Sequence, residues 1–348
     1  MTTPHQPSLP GPRSANAAFL LRLWDSLGMV LLYLVLFTLC ALFIPGFLSR
    51  LNLLSLAQSI ITVGIVASGM FLCLVSGDFD LSVGSVASFS AIIAVMTVNH
   101  FTPVAPADAP FPPDHQDPSW PMLLGIPAGV LAGAVCGCFN GFLTAVVRVN
   151  ALIVTLATML IVRGLAFIIS DNRSLGSFNF PFNRLFGTRT FLTVPAPIWV
   201  LMGCMALAGL LLHFTTFGRK ALAIGGNLQA AQYSGIDVAR TRILIFTLLG
   251  ALSGLAGLVD ASQLKMADPK AYSDLALAAI SACVLGGVSL TGGVGTILAV
   301  VVGTLIMGTV QNAMTAQRID SNKQYVITGG ILLAAVLYDR LKQRLVRS

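Results

Sequence analysis

Few side chains in this sequence are placed to do chemistry, and most of those lie inside or beside long apolar runs. Asp78 and Asp80 flank Phe79 at the end of one run, with Ser82 and Gly84 just after. Asn140, Asn150, Thr155, Thr158 and Arg163 are spread along two others. Ionisable groups at membrane depth are costly and usually face a cavity or a partner. Asp78, Asp80, Ser82, Asn140, Asn150, Thr155 and Arg163 are therefore the candidates for lining a polar route through the membrane. A structural role competes at each. A carboxylate ahead of a helix accepts N–H bonds from its first turn, helped by the helix dipole; this is the expectation for Asp80, while Asp78 is open between the two roles. Arg163 either faces the route, pairs with an acid such as Asp171, or snorkels to the interface, and its place eight residues before a polar loop favours pairing. Asn140 and the hydroxyls serve equally well in interhelical hydrogen bonds.

A second polar element separates two apolar runs at residues 215–242. Gly225-Gly226-Asn227 can end one helix and cap the next, because glycine tolerates φ > 0 and an Asn side chain accepts a free backbone N–H. Leu228 to Ser234 then suits a short helix, and Gly235 suits its stop. A structured, basic island of this length is expected to be a docking element for something soluble.

The run Gln229-Ala230-Ala231, three residues, then Gly235 resembles the "EAA…G" coupling loop of ABC importer permeases. Thr216-Phe217-Gly218-Arg219 and Gly226-Asn227 resemble the sugar-importer branch of that family. Gly77-Asp78-Phe79-Asp80-Leu81-Ser82-Val83-Gly84 resembles its "GIDLSVG" signature, in the Asp-Phe-Asp form of the arabinose-type members, and Asn150 to Met159 resembles a further stretch. The likeness runs along most of the chain. It implies a permease that works as a homodimer, with ABC ATPase subunits docked on the coupling loop and a periplasmic sugar-binding protein on the other side. The usual Glu of the loop is Gln229 here, and all thirteen acids of the chain are Asp. A charge-dependent contact at that position is not expected; the helix is, since Gln is a comparable helix former.

Composition agrees with a membrane protein. Hydrophobic residues make up 56% of the 348 and charged residues 9%, against about 25% charged in a soluble domain; the mean hydropathy is +0.86. The net charge of +7 does not point to nucleic acid, because the basic residues lie at span ends, where they set orientation and meet anionic membrane lipid. There is no P-loop and no H-E-x-x-H, and Cys136-x-Cys138 lacks the second pair or the His partners of a metal site. No catalytic residue, metal site or cofactor is read in the sequence, so ATP hydrolysis is expected in a separate subunit.

The elements that must position these residues are transmembrane helices. Runs near the ~20 apolar residues a span needs give an all-α polytopic fold of about ten spans, some short or interrupted. Residues 1–24 form a cytoplasmic disordered N-terminus, 25–338 the permease domain and 339–348 a basic cytoplasmic tail. Both termini and the 215–242 loop fall inside, with eleven Lys/Arg inside, eight outside and Arg163 within a span. The Pro-rich 99–120 stretch faces out as an insertion, and 171–195 is a polar outside loop. Ser76–Gly84 and Gly286–Gly295 read alike as glycine-containing breaks of a parallel-type internal repeat. Small residues at Gly250–Gly257, and at Thr304 and Gly308, let helices pack closely, some of them at a dimer interface. The expected protein is a bacterial inner-membrane importer permease carrying a monosaccharide, L-arabinose first. The alternatives are a permease for another monosaccharide or for branched-chain amino acids, or, from another class, an ion-coupled secondary transporter. An intramembrane enzyme is a distant third.

Overall fold

The computed structural model describes residues 15–103, 117–320, 322–331, 333–334 and 337, with side chains from residue 28 onward. The expectations for residues 1–14, for most of the 99–120 insertion and for the tail lie outside these, while residues 15–24, expected to be disordered, belong to a helix. Helices follow the apolar runs in order. α1 is Ala15–Phe43, α2 Arg50–Ser59, α3 Ile61–Val75, α4 Val83–Phe101 and α5 Trp120–Ala145. α6 is Ala151–Ile169, α7 Phe180–Gly187, α8 Ala196–Phe214, α9 Thr216–Gly226 and α10 Leu228–Tyr233. α11 is Val238–Leu264, α12 Leu275–Gly286 and α13 Ile297–Ala316; residues 322–331 are also helical. Among the described residues, seven helices are long and apolar enough to cross a membrane when α2 and α3 are taken as one. Two shorter apolar helices, Gly28–Phe43 within α1 and α12, join these among the described residues, and the last expected segment, beginning with the helix at 322–331, is only partly described. Among the described residues, strand is confined to four two-residue pieces, so the fold is all-α and polytopic.

Three local features go beyond the apolar runs themselves. The second span is divided at Ile60, which caps both α2 and α3. The 171–195 loop is structured: it holds α7 and a hairpin pairing Thr190–Phe191 with Val194–Pro195, and Leu175–Gly176 pairs antiparallel with Met266–Ala267. α11 continues to Leu264, because nothing breaks it before Lys265, whose φ is +58.

Two features organise the packing. α3 is apolar all round and buried from Gly64 to Val75, as a helix at the centre of a bundle must be. α5 carries Gly125, Gly129, Gly133, Gly137 and Gly141, one every fourth residue and therefore on one face. A Cβ on Gly133 would run into the Gly250 carbonyl oxygen, and one on Gly137 into that of Phe246. A Cβ on Gly254 of α11 would lie 2.8 Å from the Gly129 oxygen. Backbones that close gain van der Waals contact, the main attraction between helices in lipid. The Gly250–Gly257 stripe, weighed above for a dimer interface, thus packs within the chain. The α5 stripe itself went unread in the sequence.

α12 is only 12 residues, about 18 Å at 1.5 Å per residue, against a hydrocarbon core of ~30 Å. Irregular backbone completes that crossing at both ends. Such backbone is tolerated at depth only when buried in protein, and here it is: the Tyr272 carbonyl packs on Gly84, and residues 287–296 pack on the break between α3 and α4.

Candidate functional site

The 215–242 island folds as expected and adds a helix. Thr215 caps α9 by accepting the Gly218 N–H at 3.3 Å. Asn227 ends α9 and caps α10, accepting the Ala230 N–H at 3.0 Å. Gly235 follows α10 with φ +78 and open space around it, and Asp237 caps α11 by accepting the Arg240 N–H at 3.0 Å. Thr216, Arg219, Gly226, Asn227, Gln229, Ala230 and Gly235 are exposed, and Tyr233 is 92% exposed. Phe217 is half-buried against the core, while Gly218 and Ala231 are buried. The sequence thus presents a stapled six-residue helix with one face inward and the rest in the open.

The base of this element is joined to both glycine breaks. A Cβ on Gly225 would run into the Val75 carbonyl oxygen and lie 2.6 Å from the Gly293 nitrogen. On Gly292, a Cβ would come within 2.9 Å of the Gly77 Cα and the Gly225 oxygen. Gly293 also donates its N–H to the Val75 oxygen at 2.8 Å. Gly77, Gly292 and Gly293 all have positive φ, which L side chains take up only with strain. The two breaks that read alike in the sequence therefore meet in space, and the α9–α10 corner is wedged into their junction.

Asp78 and Asp80 have different fates. Asp78 pairs with Arg242 of α11, Nε to Oδ2 at 2.9 Å, with side chains only 9% and 18% exposed. Burial holds the Asp78 carboxyl above its ordinary range, and the Arg242 charge opposes that rise. Arg242 closes the basic 215–242 island, and its partner, 164 positions away, leaves no local signal in the sequence. Removing one partner of a buried pair strands the other charge. Arg242→Met is therefore expected to cost about 3 kcal/mol, and adding Asp78→Asn to recover most of it. Thermal unfolding of the purified proteins in detergent checks this; equal loss in the single and double variants would count against the pair.

Asp80 is 2% exposed and is the hub of a buried network. It accepts the Ser82 N–H at 2.7 Å, the Ser82 hydroxyl at 2.6 Å and the Asn140 amide at 3.0 Å. Asn140 also donates to Ser82 Oγ at 3.0 Å and accepts the Thr158 hydroxyl at 2.7 Å. The expected cap is corrected: Asp80 holds the N–H of Ser82, the residue at the N-cap of α4, and Ser82 itself makes no side-chain cap bond. The remaining contacts go to α5 and α6. Asp80, Ser82 and Asn140 thus come together, with their polar atoms already used by one another.

The other route candidates lie apart. Asn150 is exposed and caps α6, accepting the Leu152 N–H at 2.9 Å. Thr155 is buried and leans on the Leu152 carbonyl at 3.4 Å. Arg163 does not pair with Asp171, which instead meets Arg173 at an exposed position. Its guanidinium donates to the carbonyls of Pro269 and Ala271 at 2.9 and 2.7 Å and to the Ser85 hydroxyl at 3.2 Å. The loop it holds is further tied by Ser88 to the Asp268 carbonyl at 2.8 Å and by Tyr272 to Asp260 at 2.5 Å. Backbone acceptors of this kind cannot be read from side-chain spacing. Among the described residues, no group of His, Cys, Asp or Glu could hold a metal ion.

The description "Branched-chain amino acid transport system / permease component" covers residues 52–336. The chain is 46% identical over 327 residues to the L-arabinose transport system permease protein AraH of Escherichia coli (strain K12), covering 94% of each. It is 43% identical to the L-arabinose ABC transporter permease protein AraH of Azospirillum brasilense, covering 91% of this chain and 88% of the relative. It is 37% identical to the ribose import permease protein RbsC of Bacillus subtilis (strain 168), covering 91% and 94%. No solved structure matches the chain. Full-length similarity joins a capped, exposed helix seated on two helix breaks in a polytopic bundle: this chain belongs to the permease-component family of ABC transport systems.

Proposed function

We propose that this chain is the translocation subunit of a monosaccharide importer, with L-arabinose as its cargo. The carrying observation is the α9–α10 corner, an exposed helix wedged at its base against the ends of α3 and of the 287–296 break. The substrate rests on the two L-arabinose permeases it resembles. Orientation follows: α10 and both termini face the cytoplasm, the strapped loop at 265–274 faces the periplasm, and the apolar faces of α5 and α6 meet membrane lipid or a second permease copy. ABC ATPase subunits dock on α10, and a periplasmic sugar-binding protein delivers cargo to the opposite end.

ATP binding closes the ATPase pair and carries the two α10 helices of a homodimer with it. Through the glycine junction that movement reaches α3 and α13 together and favours the outward-facing state; hydrolysis releases it. A ligand shifts such an equilibrium only through its differential affinity for the two states, so the ATP-bound ATPase must grip α10 more tightly in one. Arg and Asn at Gly235 separate coupling from folding. Asn tolerates left-handed backbone; Arg at φ +78 meets about 1–2 kcal/mol of strain and adds bulk beside the exposed face. In gentle detergent, an ATPase is expected to co-purify with wild type and Gly235→Asn and to be lost from Gly235→Arg, with the permease present in all three. Recovery of no ATPase with wild type, under conditions preserving a known importer complex, would sink the proposal in favour of a self-contained transporter.

A further inference from the structure

At the end of the bundle opposite α10, four elements border an open cleft of about 300 Å³, at the lower edge of the ~300–1,000 Å³ typical of small-ligand pockets. The start of α12 contributes Asp274, the end of α13 contributes Gln311, and the helix at 322–331 contributes Gln324 and Tyr325. The rest of the lining is Asn312 and the hydroxyls of Ser and Thr residues on α2, α13 and that last helix. None of the lining is basic and none is aliphatic. Helix ends commonly carry polar residues, but these converge from separate elements on one space.

Part of the lining is fixed. Asn52 donates to Asn312 Oδ1 at 3.0 Å, and Ser59 donates to the Leu56 carbonyl at 2.8 Å. A Cβ on Gly308 would run into the Ile60 side chain, so α2 and α13 are closely seated where α2 breaks from α3. Another part is uncommitted. Asp274 stands at the N-cap of α12 without making a cap bond. Its carboxylate, the Gln311 amide and the Tyr325 hydroxyl form no hydrogen bond among the described residues, whereas Gln324 already donates to the Ile319 carbonyl at 2.9 Å. Carboxylate, amide and phenol offer both acceptors and donors, the set needed by a ligand whose every substituent is a hydroxyl.

We propose that this cleft is a neutral-sugar subsite, the first place within the permease where a monosaccharide is held; the inference rests on the importer reading above. The absence of a cation argues against an anionic sugar, since phosphate and carboxylate recognition relies on Arg or Lys. The absence of aliphatic lining argues against a branched-chain amino acid, which would need both a cation and an apolar pocket.

The test uses the reconstituted complex of permease, ATPase and binding protein in proteoliposomes, with radiolabelled L-arabinose and saturating sugar-loaded binding protein. Asp274→Asn, Gln311→Leu and Tyr325→Phe are each expected to slow uptake at least about fivefold, with ATPase recovery and its stimulation by loaded binding protein retained. Uptake within about twofold of wild type in all three would overturn the subsite while leaving the importer reading intact. So would uptake lost in step with ATPase recovery, which marks a structural role. If wild type itself carries no L-arabinose, the same variants are read with the monosaccharide it does carry; if it carries none, both readings fall.

Discussion

Gly225→Ala is expected to abolish most coupled transport, although it adds one methyl group. That methyl would run into the Val75 carbonyl oxygen and lie 2.6 Å from the Gly293 nitrogen. Both are backbone atoms, so neither can rotate away. Overpacking of this kind costs about 1–3 kcal/mol, enough for a tenfold or larger change in an equilibrium between two conformations. The junction must either open, lengthening the bond from the Gly293 N–H to the Val75 oxygen, or shift the α9–α10 corner. In both cases movement of α10 no longer reaches α3 and the 287–296 break together. Uptake by the reconstituted complex is expected to fall at least about tenfold, with ATP hydrolysis falling less. Gly203→Ala, in α8 with nothing within 4 Å of the added carbon, is the control and should stay near wild type. Equal uptake in the two variants would show that the junction transmits nothing.

Asp80→Ala is expected to destabilise the protein by about 3 kcal/mol or more, because it leaves three buried donors without their acceptor and each such orphan costs about 1–3 kcal/mol. The Ser82 N–H, the Ser82 hydroxyl and the Asn140 amide would all lose the carboxylate. Asn140 could keep its 3.0 Å bond to Ser82 Oγ, which limits the loss. Thr158→Val removes only the 2.7 Å bond to Asn140 Oδ1 and should cost about 1 kcal/mol. Thermal unfolding in detergent would rank the variants, with sugar uptake measured beside it. A large loss in both supports Asp80 as the tie between the α3–α4 break, α5 and α6. Uptake lost at unchanged stability would return Asp80 to the translocation route.

The sequence by itself determined the solvent, the all-α polytopic class and the capped helix at 228–233. Apolar runs near span length leave a chain few options in hydrocarbon, since backbone groups must be satisfied within each segment. The α9–α10 corner was legible because its signals are local: Asn227 caps the helix that begins one residue later, and Gly235 supplies the positive φ that ends it. Asp78, Asp80, Asn140 and Arg163 were legible as unusual, because polar groups in apolar runs need a partner, but the partner's identity was not. Arg242 lies 164 positions from Asp78, Thr158 lies 78 from Asp80, and the acceptors of Arg163 are main-chain carbonyls. Only the tertiary structure decided that two look-alike glycine breaks meet at Gly225. Close approach of backbone is governed by what is missing from a glycine, and absence of a side chain does not name the neighbour that fills the space. The polar cleft at Asp274, Gln311 and Tyr325 belongs to the same class: its members are ordinary helix-end residues until the bundle brings them to one side.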